Sequence, residues 1–320
     1  MEEVSPCVRV ESISMSTAAS NSPSLLYSAR TMAGDIKIAH SVFALPFALL
    51  AAFMAASATT GTPGWSRFSW QILLVVLAMI LARTWAMLAN RLLDRRLDSL
   101  NPRTSGRAIP SGRLRVRHAV FGLACSGIGF LVVCSGFLLV SDNPWPILLA
   151  LPVLLWIGCY PLAKRFTFLC HAWLGSSLAM SPLAAALAIE PNALLVDPAL
   201  WMLSGMVLAW VTGFDVLYSL QDVEVDTAQE LHSMPARLGV RNALWISRLL
   251  HVAAAGLLLF IDLGLFFFIA SLATCLLLAW EHLVIARWGT QRMTMAFFTL
   301  NGVISCVLGV AGILDILLPA

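Results

Sequence analysis

Charge is what this sequence has least of. Only 12% of its 320 residues are Asp, Glu, Lys or Arg, against 59% hydrophobic, and the mean hydropathy is +0.85. Soluble domains carry roughly a quarter charged residues, so that class is excluded. Period-two alternation of apolar and polar residues is also missing, which leaves helices as the way to satisfy a backbone in lipid. The seven cysteines, at 7, 125, 134, 159, 170, 275 and 306, include no C-x-x-C pair. Neither a disulfide framework nor a zinc site follows from them. Residues 1–30 lack an apolar core of the signal-peptide kind and are rich in Ser and Ala. Residues 1–34 therefore read as a mobile cytoplasmic extension, and 35–320 as a single transmembrane domain. The net charge of +3 comes from loop arginines, so no nucleic-acid partner is expected.

What the chain does have is apolar runs long enough to cross a hydrocarbon layer of about 30 Å. Nine are expected, near 37–58, 70–90, 118–140, 147–163, 170–189, 199–221, 242–261, 264–286 and 295–317. Prolines and small residues interrupt the fourth and fifth. The fold class is thus all-α, an integral membrane bundle of nine transmembrane helices. Basic residues in short loops favour the cytoplasmic side. They fill the even connections: Arg91 to Arg117 in the second, Lys164 and Arg165 in the fourth, Arg237, Arg241 and Arg248 in the sixth, Arg287 and Arg292 in the eighth. The odd connections hold only Arg67, against Asp142, Glu190, Asp197 and Asp262. This pattern predicts an N-terminus inside and a C-terminus outside.

Two acidic ladders stand out from this background: Asn90, Asp94 and Asp98, then Tyr218, Asp222 and Asp226. Spacing of four places each set along one helix face, about 6 Å apart. Carboxylates that close repel unless something positive lies between them, and Mg²⁺ favours sparse carboxylates completed by phosphate oxygens. Two facing stripes point to a diphosphate held through Mg²⁺. Both fall on the predicted cytoplasmic side although more than a hundred residues separate them. Arg83 and Asp215, each seven residues earlier, extend the two stripes inward. An arginine at that depth meets an anion or a polar cavity, so Arg83 either pairs with an aspartate or contacts substrate. Arg103 and Arg107 follow Pro102 in a loop, where guanidinium groups suit phosphate oxygens. Tyr218 suits a phosphate oxygen or the flank of a developing cation. Phe43, Phe47 and Trp85 are candidate walls, with helix packing as the alternative for each.

The motifs N-x-x-x-D-x-x-x-D after the second span and Y-x-x-x-D-x-x-x-D after the sixth resemble those of the UbiA superfamily of intramembrane prenyltransferases. The resemblance covers roughly 35–320. It implies that Asn90, Asp94, Asp98, Asp222 and Asp226 coordinate two diphosphate-bridged Mg²⁺ ions around an isoprenyl diphosphate. Lys164 and Arg165, in Tyr160-Pro-Leu-Ala-Lys-Arg-Phe-Thr167, look like the basic cluster of the 4-hydroxybenzoate polyprenyltransferase branch. Ile36-Lys37-Ile-Ala-His40, Leu231-His232-Ser233 and His171, where that branch usually has Gln, are similar to the menaquinone subgroup using futalosine. Lys37, His40, His171 and Asp215 are the implied acceptor contacts.

The implied activity is Mg²⁺-dependent transfer of a polyprenyl group from polyprenyl diphosphate to a small aromatic acid, 4-hydroxybenzoate or a hydroxylated naphthoate, in ubiquinone or menaquinone biosynthesis. The surrounding partner is membrane lipid. A transporter would also place acids in apolar helices, but ion relays sit near mid-membrane and not at helix ends beside arginine-rich loops. A UbiA-type enzyme with a non-quinone acceptor is the other alternative. Soluble prenyl-chain synthases use D-D-x-x-D, which is not present.

Overall fold

The computed structural model describes residues 27, 30–32, 34, 43–60, 64–289 and 296–318. Lys37, His40 and Arg292 lie outside the described residues, as does the beginning of the first expected span. Every element among the described residues is helical. In chain order they are α1 Leu45–Thr60, α2 Trp65–Leu93, α3 Arg95–Leu100, α4 Val116–Ser141, α5 Trp145–Cys159, α6 Cys170–Ile189, α7 Ala193–Val196, α8 Pro198–Ser219, α9 Val223–Ala228, α10 Met234–Leu238, α11 Val240–Phe260, α12 Leu265–Trp288 and α13 Ala296–Leu317. Short 3-10 turns cover Tyr160–Arg165 and Leu220–Asp222.

Eight of these stretches are long and apolar enough to cross a membrane. α1, at 16 residues, rises only about 24 Å and falls short by length. Its environment explains why it needs little lipid contact: Phe47, Ala48, Leu50, Ala51, Ala52 and Ala55 are all fully buried. α1 and α8 form the centre of the bundle, α1 packing on α6 and α13, and α8 on α6 and α11. α2 and α4 pair at the periphery and present Trp70, Leu77, Phe121 and Val132 outward, as a membrane surface requires. The prolines of the fourth and fifth expected spans do not break them. Pro152 and Pro182 lie inside α5 and α6, where neighbouring helices in lipid tolerate the lost backbone bond.

Close backbone approach sets the most important pairing. A Cβ on Gly175 would lie 2.9 Å from the Leu208 carbonyl oxygen, so only glycine lets α6 and α8 approach this far. One turn from Gly175 stands His171 and two turns from Leu208 stands Asp215, and the approach brings them into contact. On the other side, Trp85 wedges between α4 and α5 over Gly127 and Gly158 and donates to the Leu154 carbonyl at 2.8 Å. Trp85 is thus a packing element, and Phe47 lies in the core against Trp210 with ring centroids 5.7 Å apart. Of the three candidate walls, Phe43 lines the larger of the two cavities described below.

Candidate active site

Neither ladder is one straight stripe. α2 ends at Leu93, Asp94 sits at φ −91°, ψ 2°, and α3 starts at Arg95. The second ladder passes from α8 through the 3-10 turn, with Asp222 at φ −107°, ψ 4°, into α9. The central aspartate of each ladder occupies a bend in the chain. The spacing survives at the first bend because Asp94 N–H still donates to the Asn90 carbonyl at 2.9 Å, and Asp98 N–H to the Asp94 carbonyl at 2.8 Å.

Each of three ladder aspartates is answered by a cation from a loop. Lys164 Nζ lies 2.7 Å from Asp94 Oδ2, and Arg165 Nη2 3.4 Å from Oδ1. Arg107 Nη1 reaches both oxygens of Asp98, at 2.7 and 2.8 Å. Arg103 grips Asp222 as a fork, Nε to Oδ1 at 2.9 Å and Nη2 to Oδ2, while Nη1 donates to the Tyr218 hydroxyl at 3.0 Å. Burial works against the charge of Arg103, but the hydrogen bond and charge of Asp222 hold its pKa above the ordinary arginine value. Arg103 thereby ties the loop after the first ladder to the second ladder. Asn101 adds to that tie. Its amide donates to Asp222 Oδ1 at 3.0 Å, and its oxygen accepts the Arg103 N–H at 2.9 Å. Between the ladders, the Lys164 carbonyl accepts from His232 N–H at 2.7 Å. Both ladders therefore occupy one end of the bundle. Asn90 is half-buried beside Asp94, and Asp226 is half-buried with no ion pair among the described residues.

Asn90 and Tyr218, the first residue of each ladder, line a cavity of about 1140 Å³, whereas the four ladder aspartates do not. Arg30, Arg83, Arg91, Arg103, Arg107 and Arg113 line it, and Asp215 is the one carboxylate among the described lining residues. Tyr27, Arg30, Thr31 and Gly34 contribute to its wall, so part of the stretch expected to be a free extension contacts the bundle. A second space of about 360 Å³ shares Arg83, Met87, Tyr160, Leu174 and Leu178 with the first and continues between α2, α4, α5 and α6. Its further lining includes Val75, Ala78, Phe130 and Phe137 and is almost wholly apolar. Arg83 stands at the junction with its buried Nε making no hydrogen bond. Among the described residues it pairs with no aspartate.

His171 does not line the cavity. Its Nδ1 lies 2.6 Å from Asp215 Oδ2, and its Nε2 accepts from Met234 N–H at 3.2 Å. Sequence reasoning proposed both His171 and Asp215 but not their pairing. It missed Asn101 and Tyr160 as site residues. For Asn101 a signal existed, since Asn-Pro-Arg favours a side-chain-closed turn that aims the arginine. For Tyr160 there was none, because only the fold sets it beside Arg83.

The donor set is chemically suited to Mg²⁺. Asp94, Asp98, Asp222 and Asp226 offer hard oxygens without histidine or cysteine, and the first three already face positive groups. Among the described residues no three metal-binding side chains converge. A cation here would be completed by ligand oxygens, which is the habit of Mg²⁺ on phosphates.

A helical membrane bundle with carboxylates and arginines at one end and an apolar chamber behind them defines an intramembrane site for an amphipathic phosphorylated molecule. Residues 44–303 match the UbiA prenyltransferase family, and the chain belongs to it; it is a prenyltransferase. It is 30% identical over 169 residues to a 4-hydroxybenzoate octaprenyltransferase of Saccharophagus degradans, 53% of this chain and 52% of that one. The chain spans about half the length of that relative. It is 28% identical over 225 residues to a protein of the same name from Pseudomonas putida, 69% of this chain and 72% of that one. An apo UbiA homolog from Aeropyrum pernix K1 is similar in structure, with TM-score 0.75 and 26% identity over 86% of this chain and 98% of that one. A UbiA homolog from Archaeoglobus fulgidus bound to DMAPP and Mg²⁺ shares the fold, with TM-score 0.64 and 16% identity over 90% and 99% of the two chains.

Proposed function

We propose that this protein transfers a polyprenyl group from polyprenyl diphosphate to an aromatic acid, 4-hydroxybenzoate or a hydroxylated naphthoate, in ubiquinone or menaquinone biosynthesis. The observation that carries the reading is the junction at Arg83, where a polar cavity ringed by arginines opens into an apolar chamber. A diphosphate head and an isoprenoid tail need that combination. The names of the relatives support the aromatic acceptor, and the ligands of the Archaeoglobus structure support prenyl diphosphate and Mg²⁺.

In this reading Asn90, Asp94, Asp98, Asp222 and Asp226 hold two Mg²⁺ ions, whose chemistry is to neutralise the diphosphate as a leaving group. Arg83, Arg103, Arg107, Lys164 and Arg165 take the remaining phosphate oxygens. Groups that bind the departing diphosphate more strongly than the bound ester lower the ionisation barrier. Tyr218, with Phe214 at 6.3 Å and Phe43 a further 6.3 Å on, forms an aromatic column that flanks the allylic cation. The apolar chamber keeps water from quenching it. The acceptor lies near Asp215, with Lys37 and His40 from the chain preceding α1. The bundle has nine spans, α1 included, in the inner membrane of a bacterium, with the N-terminus and both ladders cytoplasmic and the C-terminus outside. Residues 1–34 are a cytoplasmic extension to the domain.

The test is incubation of membranes carrying the protein with a polyprenyl diphosphate, Mg²⁺ and each acceptor in turn. Prenylated product with one of them is expected and EDTA should abolish it. No product with either acceptor would defeat the substrate assignment.

A further inference from the structure

Prenylation of an aromatic ring leaves a proton to be removed. When the allylic carbon bonds to the ring, that ring carbon carries both its hydrogen and the new substituent. The C–H electron pair must return to the ring as the proton departs. Three of the four ladder aspartates are poorly disposed to receive it, and the fourth, Asp226, does not line the cavity. Asp94 and Asp98 are buried, at 2% and 7% side-chain exposure, and Asp94, Asp98 and Asp222 are each bound to Lys or Arg, which occupy their oxygens. Asp215 differs on every count. It is the one acid among the described residues lining the 1140 Å³ cavity, a quarter of its side chain is exposed, and its partner is an imidazole.

The pattern of hydrogen bonds fixes that imidazole as neutral. Nε2 of His171 accepts the Met234 N–H, so the ring's own hydrogen is on Nδ1 and is donated to Asp215 Oδ2. His171 is 4% exposed and has no nitrogen left for substrate. It therefore orients Asp215 without neutralising its charge, leaving Oδ1, which makes no hydrogen bond among the described residues, available to a proton. Phe214 and Tyr218, neighbours of Asp215 on α8, carry the aromatic column past the same point. We infer that Asp215 is the base that takes the ring proton during rearomatisation, with His171 as its positioning residue. The proton passes from the ring carbon to Oδ1 and then to water at the cavity mouth, while the diphosphate has left in the preceding step. The inference rests on the aromatic acceptor proposed above.

Its test compares protiated and ring-deuterated acceptor. Wild-type enzyme, limited by ionisation, should show little isotope effect. Asp215→Asn keeps the size and the hydrogen bond to His171 but cannot accept the proton. Its kcat should fall by about 10²-fold or more, the usual span for a lost general base, and a normal primary isotope effect should appear. His171→Leu should show the same isotope effect in weaker form, with KM for polyprenyl diphosphate little changed, and His171→Gln, which can still donate to Asp215, should restore the wild-type pattern. Slowing of Asp215→Asn with no isotope effect would overturn the assignment, because distortion of the site slows ionisation alone. Wild-type enzyme that prenylates no aromatic acceptor would overturn both this inference and the reading beneath it.

Discussion

The two ladders match in sequence and differ in setting. The first hangs from α2, a peripheral helix with 17% of its best apolar window buried, while the second continues α8, the central helix, with 67% buried. Yet the aspartates of the first are the more enclosed, Asp94 at 2% side-chain exposure against 15% for Asp222. The reason is the loop chemistry. Residues 101–114 and 160–165 fold over Asp94 and Asp98 and bring Lys164, Arg165 and Arg107 down on them, whereas Asp222 meets Arg103 from one side. A helix's own burial thus says little about its terminal carboxylates; the loops it carries decide that.

The largest expected effect is for Asp94→Ala. Activity should fall about 10³-fold or more, beyond the 10²–10³ typical of one lost stabilising donor. Because the buried carboxylate holds two cations, stability should also fall, toward the lower end of about 3–5 kcal/mol since Lys164 and Arg165 are partly exposed. Prenyl transfer in membranes and thermal unfolding in detergent measure the two. Asp222→Ala should lose about 10²–10³-fold in activity with a stability change of only about 1 kcal/mol. Equal stability losses for the two variants would remove the distinction between the ladders.

Arg103→Lys comes next. One ammonium cannot span both oxygens of Asp222 and the Tyr218 hydroxyl, so KM for polyprenyl diphosphate should rise about tenfold, equivalent to about 1.4 kcal/mol. A titration of initial rate against the diphosphate reads it, and an unchanged KM would place Arg103 in a purely structural role. Gly175→Ala should separate α6 from α8 at a cost of about 1–3 kcal/mol, seen as a lower unfolding temperature, with the second ladder disturbed more than the first. Smallest is Asn101→Ala, which removes one hydrogen bond to Asp222 and should cost about 1 kcal/mol, a few-fold in kcat/KM.

Much of the fold was legible along the chain. Runs near 118–140, 170–189 and 242–261 became Val116–Ser141, Cys170–Ile189 and Val240–Phe260, because in lipid a long apolar run has only the helix available. The fourth run was read less fully. It became α5 with the 3-10 turn Tyr160–Arg165, and that turn is what carries Lys164 to Asp94. The bends at Asp94 and Asp222 were also hidden, since the i, i+4 spacing is the same whether a helix is straight or turns a corner with its backbone hydrogen bonds kept.

By itself, the sequence determined that the chain is a helical membrane protein with two carboxylate ladders and where its basic residues fall, because these depend on composition and short-range periodicity. Only the tertiary structure decided which cation meets which acid, that His171 pairs with Asp215, that Arg83 stands between a polar and an apolar space, and that Trp85 packs over Gly127 and Gly158. Apart from Arg107 and Asp98, nine positions apart, the pairs join residues 44 to 119 positions apart, a separation over which no local pattern carries information; the close approach of helices at glycine and the folding of loops set them.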